Sequence, residues 1–383
     1  MALWDELTGQ ADAIAIVEAA ASHDESSAMT HSWLITGPPG SGRSNLAYAF
    51  AAALLGGDEA TQRQVAARTH PDLGVLSTDR VIISIDEVRQ LVAASQFSPS
   101  VGRFRVMVIE DADRMAERTS NVLLKALEEP PPRTVWILCA PSEADLIPTI
   151  RSRVRSVRLR VPDVDEVAAL LVRRDGVDPD LAANAARQAQ SHIGMAHRLA
   201  TNAEARERRA RTLETALGIH RVSDAVFAAA TLLELAKADA EAITTERDAE
   251  ERDSALRSLG VEPGGTVPAN LRAQIKNLED DQKRRATRSL RDGIDRILVD
   301  LLSLYRDILL VQLGVDSEPV NRDIIDRVRE AAALAGPERT LATMDAIAVA
   351  RRRIDSNVAP ALALEAMLVS ATRTTATRTP ERG

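Results

Sequence analysis

The sequence predicts an α/β domain built on a parallel sheet and carrying a phosphate-binding loop, then a small helical lid, then an all-helical C-terminal domain. Three observations lead there. Up to about Arg160, short apolar runs alternate with helical stretches. A glycine-rich loop stands between the first of those runs and the next helix. After Pro162 the strand signals fade, and apolar residues recur at helical spacing.

In chain order, residues 33–36, 81–85, 105–109 and 135–139 read as strands, and 156–160 alternates as a fifth. Helices at 45–55, 85–95 and 120–129 separate them, the pattern of a parallel sheet. Residues 163–173 and 179–200 read as short helices, with Gly176 between them and Gly194 interrupting the second. From about Thr201 to Val369 the chain is nearly all helical. Its clearest segment is 290–313, where Leu290, Ile294, Ile297, Leu298, Leu301, Leu304, Tyr305 and Ile308 recur every three or four residues. Residues 260–268 form a break, 244–253 a charged surface stretch, and 371–383 a polar tail expected to be disordered. The expected domains are 1–161, 162–203 and 204–370, followed by the tail.

Composition narrows the function. The 383 residues exceed one ordinary domain, and 45% apolar content allows a sizeable core. Aromatics are only 2%, so that core is mostly Ala, Leu, Val and Ile, and Ala with Leu and Arg favours helix. A net charge of −8 argues against coating nucleic acid by bulk charge, leaving local patches or an assembly. The single cysteine, Cys139, rules out an intrachain disulfide and a cysteine-cluster zinc site. No leader pattern and no apolar run of about 18 residues is evident, so a cytoplasmic location without membrane contact is expected.

Four motifs carry chemistry. Gly37-Pro38-Pro39-Gly40-Ser41-Gly42-Arg43-Ser44 lies between a strand and a helix, where backbone N–H groups can cradle phosphate oxygens. Ser44 stands where a hydroxyl would coordinate magnesium, but Arg43 replaces the expected lysine, and a planar guanidinium is not a compact ammonium. A glycine-rich turn without a ligand is the alternative. Second, Val106-Met107-Val108-Ile109 runs into Glu110-Asp111, a strand ending in two acids where such domains hold magnesium and polarise water. The usual order is Asp then Glu, so the exchange leaves one side chain too long and the other too short; acids capping a strand end are the alternative. Third, residues 121–132 give one apolar helix face stopped by Pro130, Pro131 and Pro132. Fourth, Arg151-Ser152-Arg153-Val154 offers an arginine that could reach a neighbouring subunit's phosphate, or a solvated basic surface. His70-Pro71-Asp72 reads as a turn, with no partner ligands nearby.

In this order and spacing, the motifs resemble the bacterial clamp-loader family of AAA+ proteins over roughly the first 160 residues. The likeness includes Trp4-Asp5-Glu6-Leu7-Thr8-Gly9-Gln10, similar to the family's N-terminal segment near the adenine pocket. It includes residues 31–37, His70-Pro71-Asp72, and Asn121-Val122-Leu123-Leu124-Lys125-Ala126-Leu127-Glu128-Glu129-Pro130-Pro131. Ser152-Arg153-Val154 is similar to the family's Ser-Arg-Cys motif, with Val154 in place of the cysteine. The resemblance implies an AAA+ domain, a lid and a C-terminal collar that oligomerises. It implies gamma/tau and delta clamp-loader subunits as partners, with the sliding clamp and primed DNA reached through them. It also makes Arg153 an arginine finger acting in trans on ATP held by a neighbour.

Some subunits of this family do not hydrolyse ATP, and several departures put this chain with them. They are Arg43, the order Glu110-Asp111, Pro141 near the expected polar sensor, and His197 at the second sensor with Arg198 one place off. Residues 277–314 add a weaker likeness to the C-terminal domains of such subunits from high-GC Gram-positive bacteria. The family's four zinc cysteines have no counterpart in residues 56–69, so no zinc and no required cofactor are expected, with nucleotide binding left open. An active gamma/tau-like motor is the alternative, and a DNA-binding module a third that the acidic charge disfavours.

Overall fold

The computed structural model describes residues 7–22, 29–78, 82–258 and 272–373. Parts of the expectations above fall outside them: residues 4–6 of the N-terminal segment, Val81, the break at 260–268 and the tail from 374. The chain divides into two compact units, Met1–Thr201 and Asn202–Gly383.

The first unit opens with α1 (Ala11–Ala21), β1 (Ser32–Thr36), α2 (Arg43–Leu55), α3 (Glu59–Ala66), β2 (Leu73–Leu76) and α4 (Ile85–Ser95). It continues through β3 (Arg105–Ile109), α5 (Glu117–Glu128), β4 (Thr134–Ala140), the single turn α6 (Pro148–Arg151) and β5 (Arg155–Arg158). All paired strands are parallel, in the order β2-β3-β4-β1-β5. Successive strand side chains point to opposite faces. Trp33, Ile35, Val106, Val108, Ile137 and Cys139 therefore enter the core shared with α1 and α2. Leu34, Met107, Ile109, Trp136 and Leu138 enter the one shared with α4 and α5. Helices on both faces explain why the strands read as unbroken apolar runs.

One strand differs from expectation. Residues 82–84 form no strand beyond an isolated bridge between Ile83 and Met115, and β2 lies earlier, at Leu73–Leu76. The β-branched run imitates a strand, but Ser84 and Glu87 form a capping box that starts α4 at Ile85. Within β2, Gly74 packs so tightly that a Cβ there would lie 2.6 Å from the Met107 sulfur, which is why a poor strand former occupies the position.

Three helices complete the unit: α7 (Val164–Asp175), α8 (Pro179–Gln188) and α9 (Ile193–Thr201). They pack on one another through residues such as Val167, Leu171, Ala186 and Leu199. Asp163 and Glu166 box the start of α7, and Gly176 closes it at φ +65°. The break expected at Gly194 falls earlier, where Gln190 and Ser191 take φ of +49° and +63°; Gly194 itself is helical.

Among the described residues the second unit has only helices and their links: α10 (Ala203–Leu217), α11 (Val222–Ser258), α12 (Arg272–Gln312), α13 (Ile325–Leu334), α14 (Pro337–Asp355) and α15 (Pro360–Arg373). Ile294, Ile297, Leu298, Leu301, Leu304 and Ile308 of α12 are buried at its centre, the face their spacing foretells. A buried polar network runs through the same core. Arg209 donates to Asp300 and Asn321, and Asn321 donates to Asp307 and Ser303. Burial pushes the Asp300 carboxyl up, against the pull of Arg209. Among the described residues no helix is long and apolar enough to cross a membrane.

Candidate nucleotide site

The loop after β1 and the acids after β3 sit at the carboxyl ends of strands that flank β4. That edge of an open parallel sheet is where such folds hold ligands. Gly40 and Gly42 take φ of +79° and +92°, and Gly42 caps α2, so Arg43 begins the helix directly behind the loop. The turn before α9 lies against the loop: a Cβ on Gly40 would come within 2.3 Å of the His192 ring, and the Ile193 N–H donates to the Gly40 carbonyl.

The site's side chains are bonded to one another. Arg43 donates through Nη1 to the Gly37 carbonyl, its own loop's first. Ser44 Oγ donates to Glu110 Oε2 at 3.1 Å, and the Tyr48 hydroxyl donates to Oε1 at 2.5 Å. Arg68 completes the set, with Nη2 2.9 Å from Glu110 Oε1 and its guanidinium 5.3 Å from the centre of the Tyr48 ring. Both oxygens of Glu110, at 13% exposure, thus have protein donors. Burial and the Glu110 carboxylate push the Tyr48 phenol up, so it stays a donor. A magnesium ion at this strand end would share the Glu110 carboxylate with these donors. Asp111 pairs with Arg114 at 3.6 Å, while burial and Asp111 push the neighbouring Asp113 carboxyl up. Cys139 lies fully buried behind the loop, its thiol pushed up by burial.

The sensor positions make other contacts. The Pro141 carbonyl accepts from the Gly37 N–H and offers no side-chain donor. His197 lies 2.8 Å from Asp175, whose carboxyl is held low by Arg174 and His197. Gln10 bonds the Arg160 backbone through both amide atoms, at 2.9 and 3.2 Å, which ties the N-terminal segment to the β5–α7 link.

Gly37, Gly40, Gly42, Arg43, Ser44, Glu110 and Asp111 are therefore gathered at one sheet edge, whereas Arg153 is bonded elsewhere. Its partner is Glu128, at the end of α5, at 2.5 Å. Three residues of these clusters escaped the sequence reading. Tyr48 carried a signal, one turn after Ser44 and with a hydroxyl that needs a partner in an apolar helix. Arg68 follows α3 at φ +58°, a conformation no local pattern announces. Glu128 stood in a motif that reads as packing alone. Asp72 has a structural role: fully buried, it accepts from the backbone N–H groups of Ser100, Val101 and Gly102 and from Ser100 Oγ. Burial would raise its carboxyl, but the Gly102, Ser100 and Val101 donors outweigh it and hold the carboxyl at about 2.

A five-stranded parallel sheet in this order, with a glycine loop leading from β1 into α2, defines a P-loop domain of the AAA+ type. Residues 10–163 match the family described as DNA polymerase III, delta subunit. Through that stretch the chain is similar to clamp-loader AAA+ proteins. It is 34% identical over 163 residues to DNA polymerase III subunit delta' of Pseudomonas aeruginosa, covering 40% of this chain and 45% of that one. It is 38% identical over 104 residues to the subunit delta' of Haemophilus influenzae, covering 27% and 31%. The gamma/tau subunit of Mycobacterium tuberculosis is 26% identical over 155 residues, covering 38% and 27%. The matched stretches span less than half the length of these relatives. Among solved structures, a gamma subunit-related protein of Thermotoga maritima aligns over 95% of this chain and 98% of its own, at 17% identity and a TM-score of 0.43.

Proposed function

We propose that this chain is a delta-prime-type subunit of the DNA polymerase III clamp loader. It does not hydrolyse ATP itself. It presents Arg153 to ATP on a neighbouring gamma/tau subunit and joins the delta subunit in an assembly that places the sliding clamp on primed DNA. The observation that carries this reading is the closed state of Glu110, whose oxygens are taken by Ser44, Tyr48 and Arg68. These contacts support a role without magnesium-assisted hydrolysis. Ser44 is turned onto Glu110, Arg43 onto Gly37, and Pro141 supplies no polar side chain. No cofactor and no zinc are required for this role, which is accessory to DNA-directed DNA polymerase activity in the cytoplasm. The lid is assigned to residues 162–203 and the collar to 204–370.

The chemistry assigned to Arg153 is electrostatic. A planar guanidinium offers two parallel donors to the oxygens of a transferring phosphoryl group, where charge accumulates. The likeness to delta' relatives supports the choice, while the gamma/tau likeness and the intact glycine geometry of the loop keep an active motor as the second reading. Steady-state ATP turnover by the isolated chain discriminates: a working motor runs at about one per second or faster. Purification of the cell's replication proteins with this chain as bait tests the partners; recovery of gamma/tau and delta is the expected result.

A further inference from the structure

We propose that Glu128 is the positioning residue of the Arg153 finger, an inference that rests on the function proposed above. The two residues belong to separate motifs, but the fold joins them where α5 ends beside α6. Arg153 Nε donates to Glu128 Oε1 at 2.6 Å, and Nη2 lies 2.5 Å from the same oxygen. On the other side Nη1 donates to the Thr149 carbonyl at 2.7 Å and to Ser152 Oγ at 3.0 Å. A guanidinium has five N–H donors in a fixed plane. These contacts engage four of them and leave one Nη2–H, in a side chain that is 34% exposed.

A plain surface ion pair would leave the guanidinium free to rotate. Here acceptors from α5 and α6 grip it from both edges, so its plane is set before any neighbour arrives. A long, rotamer-rich side chain fixed beforehand loses less freedom when it meets its target. Glu129, the next residue, makes no such contact, and Arg155 stacks instead on Trp33, with its guanidinium carbon 4.9 Å from the ring centre. The remaining Nη2–H is left to meet an incoming anion while Glu128, Thr149 and Ser152 together keep the plane fixed.

The test uses the whole assembly with gamma/tau, delta, sliding clamp and primed DNA, and reads kcat and KM for ATP separately. Glu128→Ala should lower kcat about threefold to tenfold without moving KM, because misaimed donors act in the transition state alone. Glu128→Gln should recover most of the rate, since its amide oxygen still accepts from Nε. Glu128→Asp keeps the charge but shortens the reach; it should be slow, and it carries the test if the alanine variant fails to assemble. The double variant Glu128→Ala/Arg153→Ala should be no slower than Arg153→Ala, and Glu129→Ala should match wild type. A wild-type or faster rate in Glu128→Ala and Glu128→Asp, with Arg153→Ala slow, overturns the positioning role and leaves the finger standing. A wild-type rate in Arg153→Ala overturns the finger itself, and this inference with it.

Discussion

The two charged centres of the N-terminal unit are built in opposite ways. Glu110, at 13% exposure, is enclosed by Ser44, Tyr48 and Arg68. Arg153, at 34%, faces a Glu128 that is itself 44% exposed. Enclosure makes a charge part of the architecture, because removing one partner strands the other. Exposure leaves a pair worth at most about 1 kcal/mol to stability. One charge is fixed by side chains from α2 and by Arg68, while the other sits at the surface between α5 and α6.

Substitution of Arg153 separates the two centres most clearly. If Arg153 serves one ATP site of a clamp-loader assembly, as proposed, Arg153→Ala should remove most of the rate at that site, where a finger is worth about 10³-fold or more. The total DNA-stimulated ATPase should fall only in part, since other sites remain. Arg153→Lys should be nearly as slow, because it keeps the charge but loses the fork. Thermal unfolding of either variant should stay within about 0.5 kcal/mol of wild type. Arg151→Ala and Arg155→Ala are the controls. Wild-type ATPase and clamp loading in all three alanine variants would make the arginine run a plain surface, and damage from Arg151→Ala alone would move the motif by two residues.

Asp72 extends the enclosed side of the comparison. Asp72→Asn should cost about 3 kcal/mol, read by denaturant unfolding, because a buried acceptor of several N–H groups becomes a neutral amide that also presents donors to them. The carboxyl is held at about 2, below its ordinary 3.8. A depressed carboxyl stabilises the fold fully above its unfolded value and loses that contribution as pH falls through its folded one. The wild type should therefore lose about 2 kcal/mol between pH 4 and pH 2 that Asp72→Asn does not lose. Parallel pH curves for the two proteins would contradict this.

At the closed loop, Glu110→Gln should destabilise by about 2 kcal/mol and Tyr48→Phe by about 1 kcal/mol, read as shifts in urea midpoint. Neither loss should depend on magnesium. A wild-type stability that rises with magnesium and loses the rise in Glu110→Gln would mean that Glu110 still holds a metal.

The layered α/β unit was legible because its rules are local. The unbroken apolar runs of β3 and β4, the capped start of α7 and the glycine loop each need only a few neighbouring residues. The second unit showed itself through α12, whose apolar face is long enough to outvote its charged residues. What stayed hidden depends on contacts between distant segments. Leu73–Leu76 contains a glycine against which Met107 of β3 and Leu91 of α4 pack closely. The Ser44–Glu110 bond spans 66 positions and the Arg153–Glu128 bond 25. The motifs named Glu110 and Arg153, but only the fold turns Glu110 toward Tyr48 and Arg153 toward α5.

The smallest expected effect is also the most informative about the closed loop. Arg43→Lys restores the residue that phosphate loops ordinarily carry, yet turnover by the isolated chain should remain far below about one per second. Lysine would release the Gly37 carbonyl and give a compact charge behind the loop. It would not free Glu110 from Ser44, Tyr48 and Arg68, restore the order of Glu110 and Asp111, or supply a donor at Pro141. Misplacement by one methylene at each acid is enough to cost orders of magnitude in rate, so one repaired position leaves the others limiting. The measurement is phosphate release with and without primed DNA, on Arg43→Lys alone and combined with Glu110→Asp and Asp111→Glu. Recovery in the single variant would mean that the Glu110 cluster opens when nucleotide arrives. Recovery only in the triple variant would assign the defect to the acids as well as to Arg43.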